Sequence, residues 1–315
     1  MKKKGLKILS ILIGLLLTIL LVLPFLLLDM GIGIDNPGKG PENIPEGISN
    51  NYPEARIWAD SLHKAGILKD TFIYNKQGLR LHALFAEAPT PTPKTAVIVH
   101  GRTDNATGML RLGHMYHQLL GYNILLPDLQ YSGLSEGDVF QMGWFDRLDV
   151  IQWMDVANHI YGGNTKMVVH GISMGAATIM MVSGEPQPDY VKCFIDDCGY
   201  TSVWEEFSHV LKTDYGLPQF PTLHLASILC KIKYGWSFQE ASSMNQIAKC
   251  KLPMLFIHGD KDNLVPTWMA YELYKVKSDP KELWIAPNAA HDDCYRMYPE
   301  EYTNRVRVFT NQYIQ

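Results

Sequence analysis

Six short apolar runs limit what this chain can fold into: "KTAVIVHG" (94–101), "YNILLPD" (122–128), "KMVVHG" (166–171), "VKCFIDD" (191–197), "MLFIHG" (254–259) and "KELWIA" (281–286). Continuous apolar runs of this length suit strands covered on both faces. Helical text lies between them. One stretch covers about Thr107 to Leu120, and "GWFDRLDVIQWMDVANHI" (143–160) carries a stripe of Trp144, Leu148, Ile151 and Met154, with Asp146, Asp149 and Asp155 elsewhere on the wheel. "PEEYTNRVRVFTNQYI" (299–314) closes the chain as a helix that buries Tyr302, Val306, Phe309 and Tyr313. Strands alternating with helices predict a mainly parallel, twisted α/β sheet with helices on both faces. Ligands of such sheets sit beyond the carboxyl ends of the strands.

Ahead of this pattern, "DTFIYN" and "LRLHALFAEA" flank Gly78 as an antiparallel hairpin, and "PEARIWADSLHKAG" (53–66) reads as a short helix. Between Tyr200 and Cys250 no strand is legible. That stretch, rich in Trp, Phe, Leu and Tyr, predicts a helical cap over the strand ends.

The N-terminus differs from the rest. Four lysines in "MKKKGLK" precede Ile8 to Leu28, which runs 21 residues without a charge. As a helix this spans roughly 30 Å, the thickness of a bilayer's hydrocarbon core. Lysines before the run and none just after it predict a cytoplasmic N-terminus and a catalytic domain outside the plasma membrane. The alternative is a signal peptide and secretion, although "LLLDMGIGID" offers no small-x-small cleavage site. Residues 29–51, rich in Gly, Pro and Asn, read as a tether, and residues 52–315 as the folded domain, with the cap inserted at about 200–250. The net charge of −4, with no basic block after the first few residues, argues against a nucleic-acid partner. Five cysteines, an odd number without zinc spacing, read mostly as small core residues, with a Cys230–Cys250 bridge left open.

Chemistry concentrates in Gly171-Ile172-Ser173-Met174-Gly175, which follows a strand and opens a helix. A serine on so tight a turn takes strained dihedrals, and the flanking glycines remove the Cβ atoms that would collide. The turn lifts the hydroxyl clear of the sheet, and the Met174 N–H at the helix start can face a developing oxyanion. Such a serine needs a base, and His291 is the sole histidine after residue 258. The orienting carboxylate is Asp262, in "FIHGDKDNLVP"; Asp260 and Asp197 stay open as alternatives. The loop after "VIVHG" offers the Arg102 N–H as second oxyanion donor, and its side chain either meets a substrate carboxylate or lies in solvent. His100, His170 and His258 occupy strand ends and read as packing residues. Asp292 and Asp293 read as solvent-facing. The adjacent side chains of "HDDC" make a poor metal site.

With these stretches in place, the chain from about residue 70 onward resembles the α/β-hydrolase superfamily, most closely its bacterial serine-aminopeptidase-like and prolyl-oligopeptidase-related branch. "VIVHGRTDN", "GYNILLPDLQYSGLSEG", "HGISMGAAT" and "FIHGDKDNLVP" carry the likeness. The resemblance implies nucleophile Ser173, base His291, acid Asp262, oxyanion donors Arg102 and Met174, and no cofactor. It departs at one place: members usually carry Asp-x-Arg-Gly-His-Gly-x-Ser, where this chain has Gln130, Tyr131 and Ser132 for Arg, Gly and His. The expected activity is hydrolysis of a small-molecule carboxylic ester. A membrane-anchored peptidase and a catalytically inactive binding module are the rivals.

Overall fold

The computed structural model describes residue 14 and residues 22–33 and 48–314. After helix α1 (Pro53–Lys64) come β1 (Lys69–Tyr74) and β2 (Arg80–Ala86), the antiparallel hairpin expected around Gly78. The alternating part follows: β3 (Lys94–Val99), α2 (Leu110–His114, continued by one π-helical turn), β4 (Asn123–Pro127), α3 (Asp146–Ile160), β5 (Lys166–Ile172), α4 (Met174–Ser183) and β6 (Val191–Asp197). The cap is helical, as expected: α5 (Val203–Tyr215), α6 (Thr222–Tyr234) and α7 (Ser243–Ile247). β7 (Met254–Gly259), α8 (Trp268–Val276), β8 (Lys281–Ala286), α9 (Cys294–Met297) and α10 (Pro299–Tyr313) complete the chain.

The strands form one sheet of order β1-β2-β4-β3-β5-β6-β7-β8, parallel from β4 to β8. The apolar runs are buried on both faces, and their pleat divides them between two cores. Val97 and Val99 of β3 pack towards α3, α4 and the cap, while Ala96 and Ile98 pack towards α1, α2 and α10. From β3 the chain steps to β4 on one side and then returns to β5 on the other. The reversal opens a crevice beyond the carboxyl ends of β3 and β5, where the Arg102 and Ser173 loops emerge.

Two expectations change, one holds, and one falls largely outside the described residues. First, the stripe of Trp144, Leu148, Ile151 and Met154 is only partly buried: Met154 is in the core, Trp144 and Ile151 pack against it half-buried, and Leu148 is exposed, while the buried face of α3 is Asp146, Asp149, Val150, Trp153, Met154 and Ala157. The two aspartates go inward because donors await them there. Asp146 accepts the Gly143 N–H at 2.9 Å, and Asp149 accepts from Asn75 and Gln130 at 3.1 and 2.6 Å. Second, the end of the supposed anchor and the start of the supposed tether are part of the core: Leu28 and Ile32 are buried, and the Phe140 N–H donates to the Ile32 carbonyl at 2.9 Å. Third, all five cysteines are buried, as expected of small core residues, and all are free thiols, so the Cys230–Cys250 bridge left open is not formed. Fourth, no helix among the described residues is long and apolar enough to cross a membrane. Most of the run read as an anchor, residues 8–13 and 15–21, lies outside the described residues, as do residues 34–47 of the tether.

Candidate active site

Ser173 sits between β5 and α4 at φ 55° and ψ −117°, a conformation costly for a non-glycine residue. Its neighbours make the turn possible. A Cβ on Gly171 would lie 2.2 Å from the Gly175 carbonyl oxygen, and one on Gly175 would lie 2.2 Å from that of Val99. Only bare backbone fits at both places.

The turn aims the Ser173 Oγ at the His291 Nε2, 2.8 Å away, and the His291 Nδ1 lies 2.7 Å from the Asp262 Oδ2. The three side chains come from loops after β5, β7 and β8 and form one hydrogen-bonded chain. Asp262 is pinned from its other oxygen by the Leu264 and Val265 N–H groups at 3.0 and 2.9 Å. Burial opposes its charge, but hydrogen bonds from His258 and His291 outweigh burial and hold it down at about 2. For His291, burial disfavours the imidazolium, but the hydrogen bond and charge of Asp262 more than compensate and raise its pKa.

The other carboxylates lie elsewhere. Asp260 accepts the Asn288 N–H at 2.6 Å and braces a turn. Asp197 accepts from the Tyr302 hydroxyl at 2.7 Å, and burial pushes it up to about 7. Asp292, expected in solvent, pairs with Arg111 at 2.8 Å, and Asp293 with Arg296 at 2.7 Å. The correction for Asp292 has a simple cause: Arg111 is nearly buried and needs countercharge, which Asp104 also supplies at 3.1 Å.

Of the strand-end histidines, His100 accepts the Leu129 N–H at 2.9 Å and lies 2.7 Å from the Gly101 carbonyl, so it ties the Arg102 loop to the loop after β4. His170 lies between the hydroxyls of Tyr116 and Tyr302, and burial pushes its pKa down to about 3. His258 is more than packing: its Nε2 lies 3.2 Å from the Asp262 carboxylate and 2.8 Å from the Val265 carbonyl. Sequence spacing did hold a signal, since His258 and Asp262 are four residues apart on one strand-to-loop connection.

The Arg102 and Met174 N–H groups donate to no other residue among those described, and both residues line the cavity at Ser173. The Arg102 guanidinium takes neither expected course. It donates to the Met30 carbonyl at 3.1 Å and lies 5.0 Å over the Phe140 ring. Cys198, Asp262 and His291 place possible ligand atoms within 4.8 Å of one another, but a cation there would have to break the Asp262–His291 hydrogen bond.

The cavity has a volume of about 580 Å³, within the usual range for small-molecule sites, and is mostly apolar. Leu27, Met30 and Gly31, ahead of the expected domain, contribute to its wall. So does Glu206 of α5, whose buried Oε2 has no partner and whose carboxyl burial pushes up to about 8.

The departure after β4 is explained locally. Gln130 replaces a cationic side chain with a neutral amide donor to Asp149, so burial dominates and raises that carboxyl to about 6. Tyr131, in place of glycine, keeps the left-handed turn at φ 66° and packs its ring edge-on against Phe140. Ser135 bonds the Asp128 carbonyl and accepts the His82 N–H, so the turn itself is retained.

Comparison with known proteins places the chain in a family and a fold. The model of the prolyl oligopeptidase family matches residues 140–315. The chain belongs to the prolyl oligopeptidase family. It is 31% identical over 222 residues to the uncharacterized protein YqkD of Bacillus subtilis, covering 70% of this chain and 72% of that one. Its fold is similar to the esterase Pf2001 of Pyrococcus furiosus, with a TM-score of 0.65 and 22% identity over 81% of this chain and 94% of that one. It is also similar to the acylaminoacyl peptidase of Pyrococcus horikoshii, with a TM-score of 0.56 and 16% identity over 81% of this chain and 43% of the other. These likenesses establish the α/β-hydrolase fold.

The buried acids make stability depend on pH. Burial raises Asp146, Asp196 and Asp197 to about 7, Asp149 to about 6 and Glu206 to about 8. Unfolded carboxyls titrate near about 4. Between those values the folded chain holds more protons than the unfolded one, so stability falls as pH rises. Asp262, held at about 2, acts oppositely: its contribution is present above the unfolded pKa and is lost as pH falls towards the folded one. The melting temperature is expected to peak in mild acid and to decline steadily from pH 5 to 8. A Tm that climbs over that interval in a calorimetric pH series would refute this account.

Proposed function

We propose that the protein is a serine hydrolase that cleaves carboxylic esters through an acyl-enzyme. The observation that carries this reading is the chain from Ser173 Oγ to His291 to Asp262, with spacings of 2.8 and 2.7 Å, at the wall of the cavity. In the first half-reaction the His291 Nε2 takes the Ser173 proton as the Oγ attacks the ester carbonyl. The resulting oxyanion lies against the N–H groups of Arg102 and Met174. His291 then gives the proton to the departing alcohol oxygen, and the acyl group stays on Ser173. In the second half, water attacks this acyl group while His291 takes a water proton. The Ser173–acyl bond breaks, His291 returns a proton to Oγ, and the free acid leaves. Asp262 remains ionised and orients the imidazole.

The apolar cavity supports an ester with an apolar acyl group. Membership of the prolyl oligopeptidase family, and the similarity to an acylaminoacyl peptidase, keep an amide-cleaving reading as the second one. Turnover of p-nitrophenyl esters set against aminoacyl-p-nitroanilides separates the two. Faster cleavage of the anilides would replace the ester reading. Stoichiometric labelling of Ser173 by a fluorophosphonate is expected on either reading, and its absence in folded protein would favour a binding module.

The uncharged run from Ile8 supports a membrane-anchored location with the hydrolase domain outside the plasma membrane. If the reading holds, the full chain stays with membranes through alkaline carbonate washing. Release into the supernatant would count against it.

A further inference from the structure

The cavity at Ser173 is bounded on one side by residues that precede the folded domain in sequence. Residues 22–28 form a helical stretch that continues as a π-helical segment, Asp29–Gly33, and packs onto the hydrolase domain at several points. Ile32 is fully buried, and its carbonyl accepts the Phe140 N–H at 2.9 Å. The Met30 carbonyl accepts from the Arg102 guanidinium at 3.1 Å, which links the segment to a residue that also lines the cavity. Gly31 lies against the cap: a Cβ there would come 3.1 Å from the Phe207 ring of α5. The segment therefore spans the loop after β3 and the first cap helix, and Leu27, Met30 and Gly31 close the cavity that Phe207, Leu223 and Phe238 line from the cap.

The interior suits hydrocarbon. Its apolar side chains come from five separate parts of the chain: Leu27 and Met30, Met142, Ile172 and Met174, the cap, and Leu264 and Val265. The Arg102 charge is turned onto the Met30 carbonyl and the Phe140 ring. Burial pushes the Glu206 carboxyl up to about 8, which favours its neutral form at neutral pH, and a neutral carboxyl faces a hydrocarbon at less cost than a carboxylate.

We propose that this cavity is an acyl-chain site for straight-chain carboxylic esters, and that Leu27, Met30 and Gly31 form the wall that sets the length of chain accepted. The proposal rests on the serine-hydrolase reading of Ser173. Each methylene that enters an apolar site is worth about fourfold in binding, so kcat/KM should climb with acyl length until the chain meets this wall.

The test uses the full chain and p-nitrophenyl esters from acetate to decanoate, with Ser173 counted by fluorophosphonate labelling. The wild type is expected to favour octanoate over acetate by at least tenfold in kcat/KM. Gly31→Leu places a side chain at the Phe207 face and should move the optimum to shorter chains, lowering the octanoate-to-acetate ratio at least tenfold. Met30→Ala removes bulk from the same wall and should move the optimum to longer chains. Opposite shifts from two neighbouring substitutions are not what simple loosening of the segment produces. The proposal is overturned if the wild type treats acetate and octanoate alike, if both variants keep the wild-type profile, or if both move it the same way, with labelling intact throughout. Failure of the underlying reading looks different: neither labelling of Ser173 nor turnover of any ester by the wild type.

Discussion

Ser173→Ala is expected to lower kcat for p-nitrophenyl ester hydrolysis by on the order of 10⁶-fold, because attacking serine and accepting histidine act as one unit. The residue contributes its Oγ to a 2.8 Å hydrogen bond with the His291 Nε2, and no neighbouring hydroxyl is hydrogen-bonded to that nitrogen. Residual catalysis of roughly 10³ to 10⁴ over water should survive, because the Arg102 and Met174 N–H groups and the cavity remain. The fold should survive as well. Alanine at φ 55° carries the same backbone strain as serine, and the Gly171 and Gly175 contacts that shape the turn are untouched. Single-turnover rates, with circular dichroism as the control, check this. A folded variant that keeps more than a hundredth of the wild-type rate would mean that the chemistry is carried by another group.

Asp262→Asn is expected to cost about 10⁴-fold in kcat. The Leu264 and Val265 N–H groups hold the Oδ1, so an asparagine would keep its carbonyl there and turn its NH₂ towards the His291 Nδ1. That forces the proton of the neutral imidazole onto Nε2, leaving no lone pair for the Ser173 proton. Asp197→Asn is the matched control. Its carboxyl accepts from the Tyr302 hydroxyl and makes no hydrogen bond to His291, although burial pushes its pKa up to about 7. Its loss should stay within about tenfold. Should Asp197→Asn prove the more damaging change at pH 8, with both variants folded, the orienting role would pass to Asp197.

The departure at Gln130 shows how far a motif can be trusted. The missing cation is visible in the sequence, but its consequence is not. Asp149 becomes a hydrogen-bonded acid on the inner face of α3 whose pKa burial raises to about 6, while the turn around Asp128 keeps its bonds. The same blindness sent the α3 stripe astray. Periodicity marks which residues are apolar, and an aspartate whose donors arrive from Asn75 and Gln130, far along the chain, is counted as solvent-facing.

Local chemistry was legible in the chain itself. Continuous apolar runs admit strands covered on both faces, and two glycines around a serine admit a turn that other residues would block, with Cβ contacts of 2.2 Å. The order of serine, acid and histidine then named the candidate groups. Only the closed structure shows which of Asp262, Asp260 and Asp197 lies against His291, because three acids at neighbouring strand ends differ in which donors reach them and not in local pattern. Only it brought residues 27–31 to the wall of the cavity, by burying Ile32 and tying Met30 to Arg102. Periodicity and turn chemistry act between near neighbours in the chain and can be read there. Contacts between distant segments depend on how the layers close, and no short stretch of sequence encodes that.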